Sequence, residues 1–116
     1  MALRLFGIPN CDTVKKARVW LEGRGLVYDF HDYKKAGVDA AKLAAWCDSL
    51  GWETVLNRAG TTFKKLDAAD KSDMSKAKAI SLMMAQPSMI KRPLVEYDGG
   101  LLIGFKAEQW EAALRS

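Results

Sequence analysis

Apolar and polar residues partly alternate over Leu3-Arg4-Leu5-Phe6, and Gly7 closes the run, which predicts a short strand. Pro9 holds Ile8 extended in the loop Ile8-Pro9-Asn10-Cys11 that follows. From Asp12 or Thr13, either a good N-cap, the spacing becomes helical and continues to about Glu22. Val14, Ala17, Trp20 and Leu21 lie near one face, Lys15, Lys16 and Arg18 lie mostly outside it, and Gly23 and Gly25 stop the helix. Leu26-Val27-Tyr28-Asp29-Phe30-His31 reads as a second strand. Strand, helix and strand within about 30 residues make a right-handed parallel unit.

Asp39 caps the next helix, whose apolar stripe is Ala40, Leu43, Ala44, Cys47 and Leu50, ended by Gly51. Trp52 to Ala85 reads as helical pieces: one ends over Leu56-Asn57-Arg58-Ala59-Gly60, another covers Phe63 to Leu66, and a longer one covers Ser75 to Ala85 before Pro87. After Arg92-Pro93 the pattern changes. Leu94-Val95-Glu96-Tyr97 and Leu101-Leu102-Ile103 flank Asp98-Gly99-Gly100, a hairpin signal. A last helix from about Lys106 to Leu114 places Ala107, Trp110 and Leu114 on one side. The expected class is α/β: β-α-β joined to an antiparallel β-β-α, the connectivity of a thioredoxin-like fold, with a helical insertion at approximately 38–88. Residues 1–116 show no repeat and no linker, so a single domain is expected.

Composition fits a globular chain, with 49% hydrophobic and 28% charged residues. No apolar run approaches the ~20 residues of a membrane span, and Gly7 and Pro9 interrupt the start before a signal-peptide core can form. A cytoplasmic protein without membrane association is expected. Two cysteines are too few for a disulfide scaffold, which suits a reducing compartment. Eighteen Lys and Arg against 14 Asp and Glu leave a net charge of +4, enough to steer an anionic small molecule. The basic residues are dispersed, so direct nucleic-acid binding is not expected. Two cysteines and one histidine cannot supply the four ligands of a structural zinc site, and no phosphate-binding glycine motif occurs, so neither metal nor nucleotide is expected.

Cys11 is the residue with chemistry. It stands one or two residues before a helix, where unsatisfied N–H groups and the positive end of the helix dipole favour thiolate over thiol. The thiolate is the nucleophile, so the position suits a reactive cysteine, and a buried loop residue is the alternative. Lys15 and Lys16 add positive potential in the first turn. Cys47 falls in an apolar stripe and reads as core. His31, at a strand end, reads as a polar boundary residue rather than a base. Neither the residue three before Cys11, Ile8, nor the one three after, Val14, is a cysteine. Disulfide chemistry at Cys11 therefore needs a second thiol from elsewhere, such as glutathione.

The run Phe6-Gly7-Ile8-Pro9-Asn10-Cys11-Asp12-Thr13-Val14-Lys15-Lys16-Ala17 resembles the opening of the arsenate-reductase (ArsC) family, in its YffB-like branch beside the Spx regulators. The likeness continues through Leu56-Asn57-Arg58, Phe63-Lys64-Lys65-Leu66, Pro87-Ser88-Met89-Ile90-Lys91-Arg92-Pro93-Leu94-Val95 and Ile103-Gly104-Phe105-Lys106. The resemblance implies a thioredoxin-like fold with a helical insertion and makes Cys11 the active thiol. It implies that Arg58 and Arg92 line the site, suited by their charged planar forks to oxyanions or carboxylates. Pro93 takes the place of a cis proline beside the cysteine, and Asn10 and Lys15 join the expected binding positions. Arsenate reductases of the family carry a further arginine after the hairpin, where this chain has Ile103-Gly104-Phe105-Lys106. They also carry a small hydroxyl residue where this chain has Val14. Spx regulators generally carry a C-x-x-C switch, which is missing here.

The resemblance and the lone thiol together imply a glutathione-dependent thiol oxidoreductase that reduces a disulfide or oxyanion acceptor, with no bound cofactor and glutathione as co-substrate. Arsenate reduction is the alternative, and a regulatory module that binds a protein, as Spx does, is the alternative of another class. A protein thiol is a further candidate partner. A monomer is expected.

Overall fold

A computed structural model describes residues 3–114. They fall into two compact units, one built from the chain up to Ala36 and from Arg92 onward, the other from Gly37–Lys91.

The first unit carries a four-stranded sheet: β1 (Arg4–Gly7), β2 (Asp29–Asp32), β3 (Leu94–Tyr97) and β4 (Gly100–Ile103), in the order β2-β1-β3-β4. β1 pairs parallel to β2, from Arg4↔Asp29 to Gly7↔Asp32. It pairs antiparallel to β3, with Phe6 opposite Leu94. β3 and β4 form the hairpin, closed where Tyr97 faces Gly100 around Asp98 and Gly99. This is the thioredoxin-like arrangement that the order of strands and helices predicts.

Three helices complete the unit: α1 (Asp12–Gly23), the single turn α2 (Tyr33–Ala36), and α8 (Ala107–Leu114), the last helix of the chain. Val14, Ala17 and Leu21 of α1 repeat at helical spacing and are fully buried. They join Leu3, Leu5, Val95, Leu102, Trp110 and Leu114 in one core. Trp20 is only half-buried: its ring meets Phe105 and Trp110 edge-on at 6.2 and 6.0 Å, and the guanidinium of Arg24 covers it at 4.7 Å. Ala107, expected to face inward with Trp110 and Leu114, is exposed.

The second strand begins later than the apolar run Leu26-Val27-Tyr28 predicts. The N–H of Leu26 donates back to the carbonyl of Leu21 at 3.0 Å, so Arg24 to Leu26 belongs to the turn that ends α1. Val27 is then 85% exposed, and pairing starts only at Asp29.

The other unit holds α3 (Ala40–Leu50), α4 (Trp52–Val55), α5 (Thr61–Lys64), α6 (Ala68–Lys71), α7 (Lys76–Ala85) and a 3₁₀ turn over Pro87–Met89. Asp39 accepts from the N–H of Lys42 at 3.1 Å and Ser75 from that of Lys78 at 3.2 Å, so both long helices start with a side-chain cap. Leu43, Trp46 and Cys47 form the buried face of α3. Trp46 extends the apolar stripe expected there, while Ala40 is exposed and Ala44 and Leu50 are only half-buried. α2 lies outside the predicted elements, and α6 is a single turn within the stretch from Trp52 to Ala85 that reads as helical pieces. None of the described helices is long and apolar enough to cross a membrane.

Gly7 fixes how closely α1 approaches the sheet. A Cβ on Gly7 would sit 2.8 Å from Cγ2 of Val14, whose β-branched side chain is fully buried and stiff. Gly7→Ala is therefore expected to lose about 1–3 kcal/mol through overpacking, seen as a melt several degrees lower. In a Val14→Ala background the same substitution is expected to cost less, since the group it clashes with is gone. Equal melts for Gly7→Ala and the parent protein would contradict this account.

Candidate active site

Three chain segments leave the sheet at one edge, where β1 and β2 end and β3 begins. In the parallel register Gly7 lies beside Asp32, and in the antiparallel register Phe6 lies beside Leu94. The loop after β1 carries Cys11, the residue after β2 is Tyr33, and Arg92 stands two residues before β3. Residues far apart in sequence thus arrive together because the sheet order is β2-β1-β3.

Cys11, rather than the Asp12 or Thr13 that the sequence suggests, is the N-cap residue of α1, extended at φ −93° and ψ 125°, because the helix already begins at Asp12. Its N–H donates to the carbonyl of Ile8 at 3.2 Å, and its carbonyl accepts from the N–H of Lys15 at 2.9 Å, so the loop and the first helical turn hold it from both sides. The side chain makes no capping hydrogen bond of ordinary geometry, as its sulfur is larger and softer than a serine oxygen. The N–H groups of Val14 and Thr13 nonetheless face Sγ and favour its anion. The guanidinium of Arg92 donates a hydrogen bond to Sγ.

Partial burial is the largest single influence on this thiol and pushes its pKa up. The Val14 N–H, the Arg92 hydrogen bond, the Thr13 N–H and the Arg92 charge together outweigh it, so Cys11 ionises below the ordinary thiol range. Cys47 shows the contrast. It is 3% exposed in α3, and burial drives its thiol upward. Neither cysteine is in a disulfide.

Arg92 is half-buried. Burial opposes its charge, but its hydrogen bonds and charge interactions with Cys11 and Tyr33 more than compensate, so the guanidinium is held firmly protonated. The Arg92–Pro93 peptide bond is cis. Pro93 is buried, and its carbonyl accepts from the N–H of Gly104 at 2.8 Å, tying this bend to the residue that follows β4.

Tyr33 is the site residue that sequence reasoning leaves out. It is fully buried and shares a side-chain hydrogen bond with Arg92. Burial is the main reason its phenol is held neutral well above the usual tyrosine range, and Arg92 only partly offsets this.

The remaining predicted site residues lie as follows. Asn10, next to Cys11, and Lys15, in the first turn of α1, are both exposed. Arg58 belongs to the 37–91 unit, where it is exposed and its guanidinium lies 5.6 Å from the ring centroid of Trp52. His31 pairs with Phe6 in the strand register, its ring 5.1 Å from the phenylalanine ring. Lys106, which stands near the expected place of a third arginine, is exposed. Val14, at the position of the family's hydroxyl residue, turns its side chain into the core against Gly7.

The site thus joins a cysteine at a helix N-terminus to an arginine before a cis proline across the order β2-β1-β3-β4. The sequence pattern of the ArsC family matches residues 6–113. The chain belongs to the ArsC family. Among relatives of this ArsC-family chain, an uncharacterized protein of Haemophilus influenzae is 38% identical over 111 residues, covering 96% of this chain and 97% of its own length. A solved structure of a protein named YFFB is 59% identical, covers 97% of this chain and 98% of its own, and superposes with a TM-score of 0.94. A solution structure from Brucella melitensis, described as an arsenate reductase (ArsC) related protein, is 52% identical over all of this chain and 97% of its own, with a TM-score of 0.78.

Proposed function

We propose that this protein is a thiol oxidoreductase that works with one cysteine and uses glutathione as its second thiol. The observation that carries the reading is the surroundings of Cys11 Sγ: the amides of Val14 and Thr13 and the guanidinium of Arg92 all favour the thiolate. The Cys11 thiolate attacks the glutathione sulfur of a mixed disulfide. That forms a Cys11–glutathione disulfide and expels the other half as a thiolate, which takes a proton from water. A second glutathione thiolate then attacks the glutathione sulfur held on Cys11, releasing oxidised glutathione and restoring the Cys11 thiolate. Two glutathione units leave joined, one acceptor sulfur is reduced, and no bound cofactor is needed. Arg92 steadies the negative charge at Sγ before attack and again when Cys11 is the leaving group. Asn10 and Lys15, both exposed and close in sequence to Cys11, are the residues whose chemistry suits the polar and carboxylate groups of glutathione. Such chemistry belongs in the reducing, glutathione-rich cytoplasm.

Arsenate ranks second as acceptor because the chain has no arginine at Ile103-Gly104-Phe105-Lys106 and no hydroxyl at Val14. A coupled assay with glutathione and its reductase separates the two. Turnover is expected with a small glutathione mixed disulfide and at least tenfold slower with arsenate at equal concentration. Turnover confined to arsenate would reverse the order, and no turnover with either would end the enzymatic reading.

A further inference from the structure

The long, flexible side chain of Arg92 stays on the sulfur only where something else holds it. An arginine carries much rotamer freedom, and a half-buried one facing a single soft acceptor has other places to go. Tyr33 supplies the second acceptor. Its backbone is pinned at the start of α2, where Asp32 Oδ1 accepts from the N–H groups of Lys34 and Lys35 at 3.1 and 3.3 Å. The strand register sets Asp32 beside Gly7, so the pinned turn sits at the sheet edge from which the Cys11 loop departs. The ring is fully buried, and a phenylalanine would fill that volume equally well. The hydroxyl is therefore the part that calls for an explanation, and its side-chain partner is Arg92.

We propose that Tyr33 is a positioning residue of this site: its phenol oxygen accepts a hydrogen bond from the Arg92 guanidinium and so holds Arg92 against Cys11 Sγ. The groups whose charges bear on Tyr33 are Arg92, Cys11 and Asp32. Because the phenol stays neutral, it orients the guanidinium without competing with the thiolate as a counter-ion. Tyr33 acts only through Arg92, which distinguishes it from a residue that merely fills space. The proposal rests on the reading of Cys11 as the nucleophile.

The test is the pH profile of Cys11 alkylation by iodoacetamide, read by peptide mapping in the parent protein, Tyr33→Phe, Arg92→Met and the double variant. Tyr33→Phe is expected to raise the midpoint and to lower the thiolate fraction near pH 6 roughly two- to threefold. In the Arg92→Met background the same substitution is expected to change nothing further, since the group it positions is gone. An unmoved midpoint in Tyr33→Phe, or equal shifts in both backgrounds, overturns the proposal. If Tyr33→Phe does not fold, 3-fluorotyrosine at position 33 keeps the shape and weakens the acceptor. A higher midpoint then supports the role, and an unchanged one overturns it. A parent midpoint in the ordinary thiol range would instead sink the functional reading, so the two failures are distinguishable.

Discussion

In Cys11→Ser, turnover of a glutathione mixed disulfide is expected to fall by about 10³-fold or more, while the thermal melt stays close to that of the parent protein. The environment that lowers the pKa of a thiol is far too weak to ionise a serine hydroxyl near neutral pH, so the nucleophile is lost outright. Stability is spared because Cys11 is only half-buried and makes no capping hydrogen bond, and serine is itself a favoured N-cap. The variant also separates covalent catalysis from simple binding. Incubated with oxidised glutathione, the parent protein gains the mass of one glutathione unit, and Cys11→Ser gains none. Cys47 does not confuse this result, since burial both hides its sulfur and keeps it protonated in the folded protein. Retained turnover in Cys11→Ser would rule out a mechanism through this sulfur.

The position of Cys11 is legible in the sequence because it depends on local grammar alone. A short strand, a proline loop and a helical stripe that starts at Val14 put that residue at a helix N-terminus whatever the rest of the chain does, although the cap expected at Asp12 or Thr13 falls on Cys11 itself. The hairpin around Asp98-Gly99 and the helices capped by Asp39 and Ser75 are legible for the same reason. Arg92 carries no such signal. An arginine before a proline is an ordinary surface residue until β3 is known to lie beside β1, and only the resemblance brings it forward. Tyr33 lies further out of reach. It precedes Lys34 and Lys35, so its neighbourhood reads as solvated, and its burial follows from sheet order rather than from any pattern within reach of position 33. Leu26-Val27-Tyr28 shows the converse limit. Three apolar residues in a row predict strand, but the backbone of Leu26 is already committed to closing α1. Competition between a helix end and a strand start is decided by hydrogen bonds that composition does not encode.

Arg92→Met is expected to change the whole pH profile of Cys11 rather than simply to slow it. Methionine keeps the length and apolar stem and removes the charge and the donors. In the folded parent protein the depressed thiol pKa means that thiolate persists to lower pH, and reactivity falls away as pH drops through that pKa. Losing Arg92 moves this fall to higher pH. A charge-assisted hydrogen bond is worth about 1.5–3 kcal/mol, and water at this half-open site trims it toward about 1 kcal/mol. The thiolate population at pH 6 then drops roughly fivefold. The thiolates that remain are more basic, and nucleophilicity rises with basicity at a Brønsted slope of about 0.4–0.5, which returns about a factor of two. The net rate near pH 6 is therefore about two- to threefold slower than in the parent protein. Above both pKa values every molecule is thiolate, only the basicity remains, and the variant alkylates about twofold faster. The two rate profiles cross. A substitution that loosened the loop or blocked access to Cys11 would shift the rate the same way at every pH. A crossing thus identifies Arg92 as the group that stabilises the thiolate, and parallel profiles would show that it does something else.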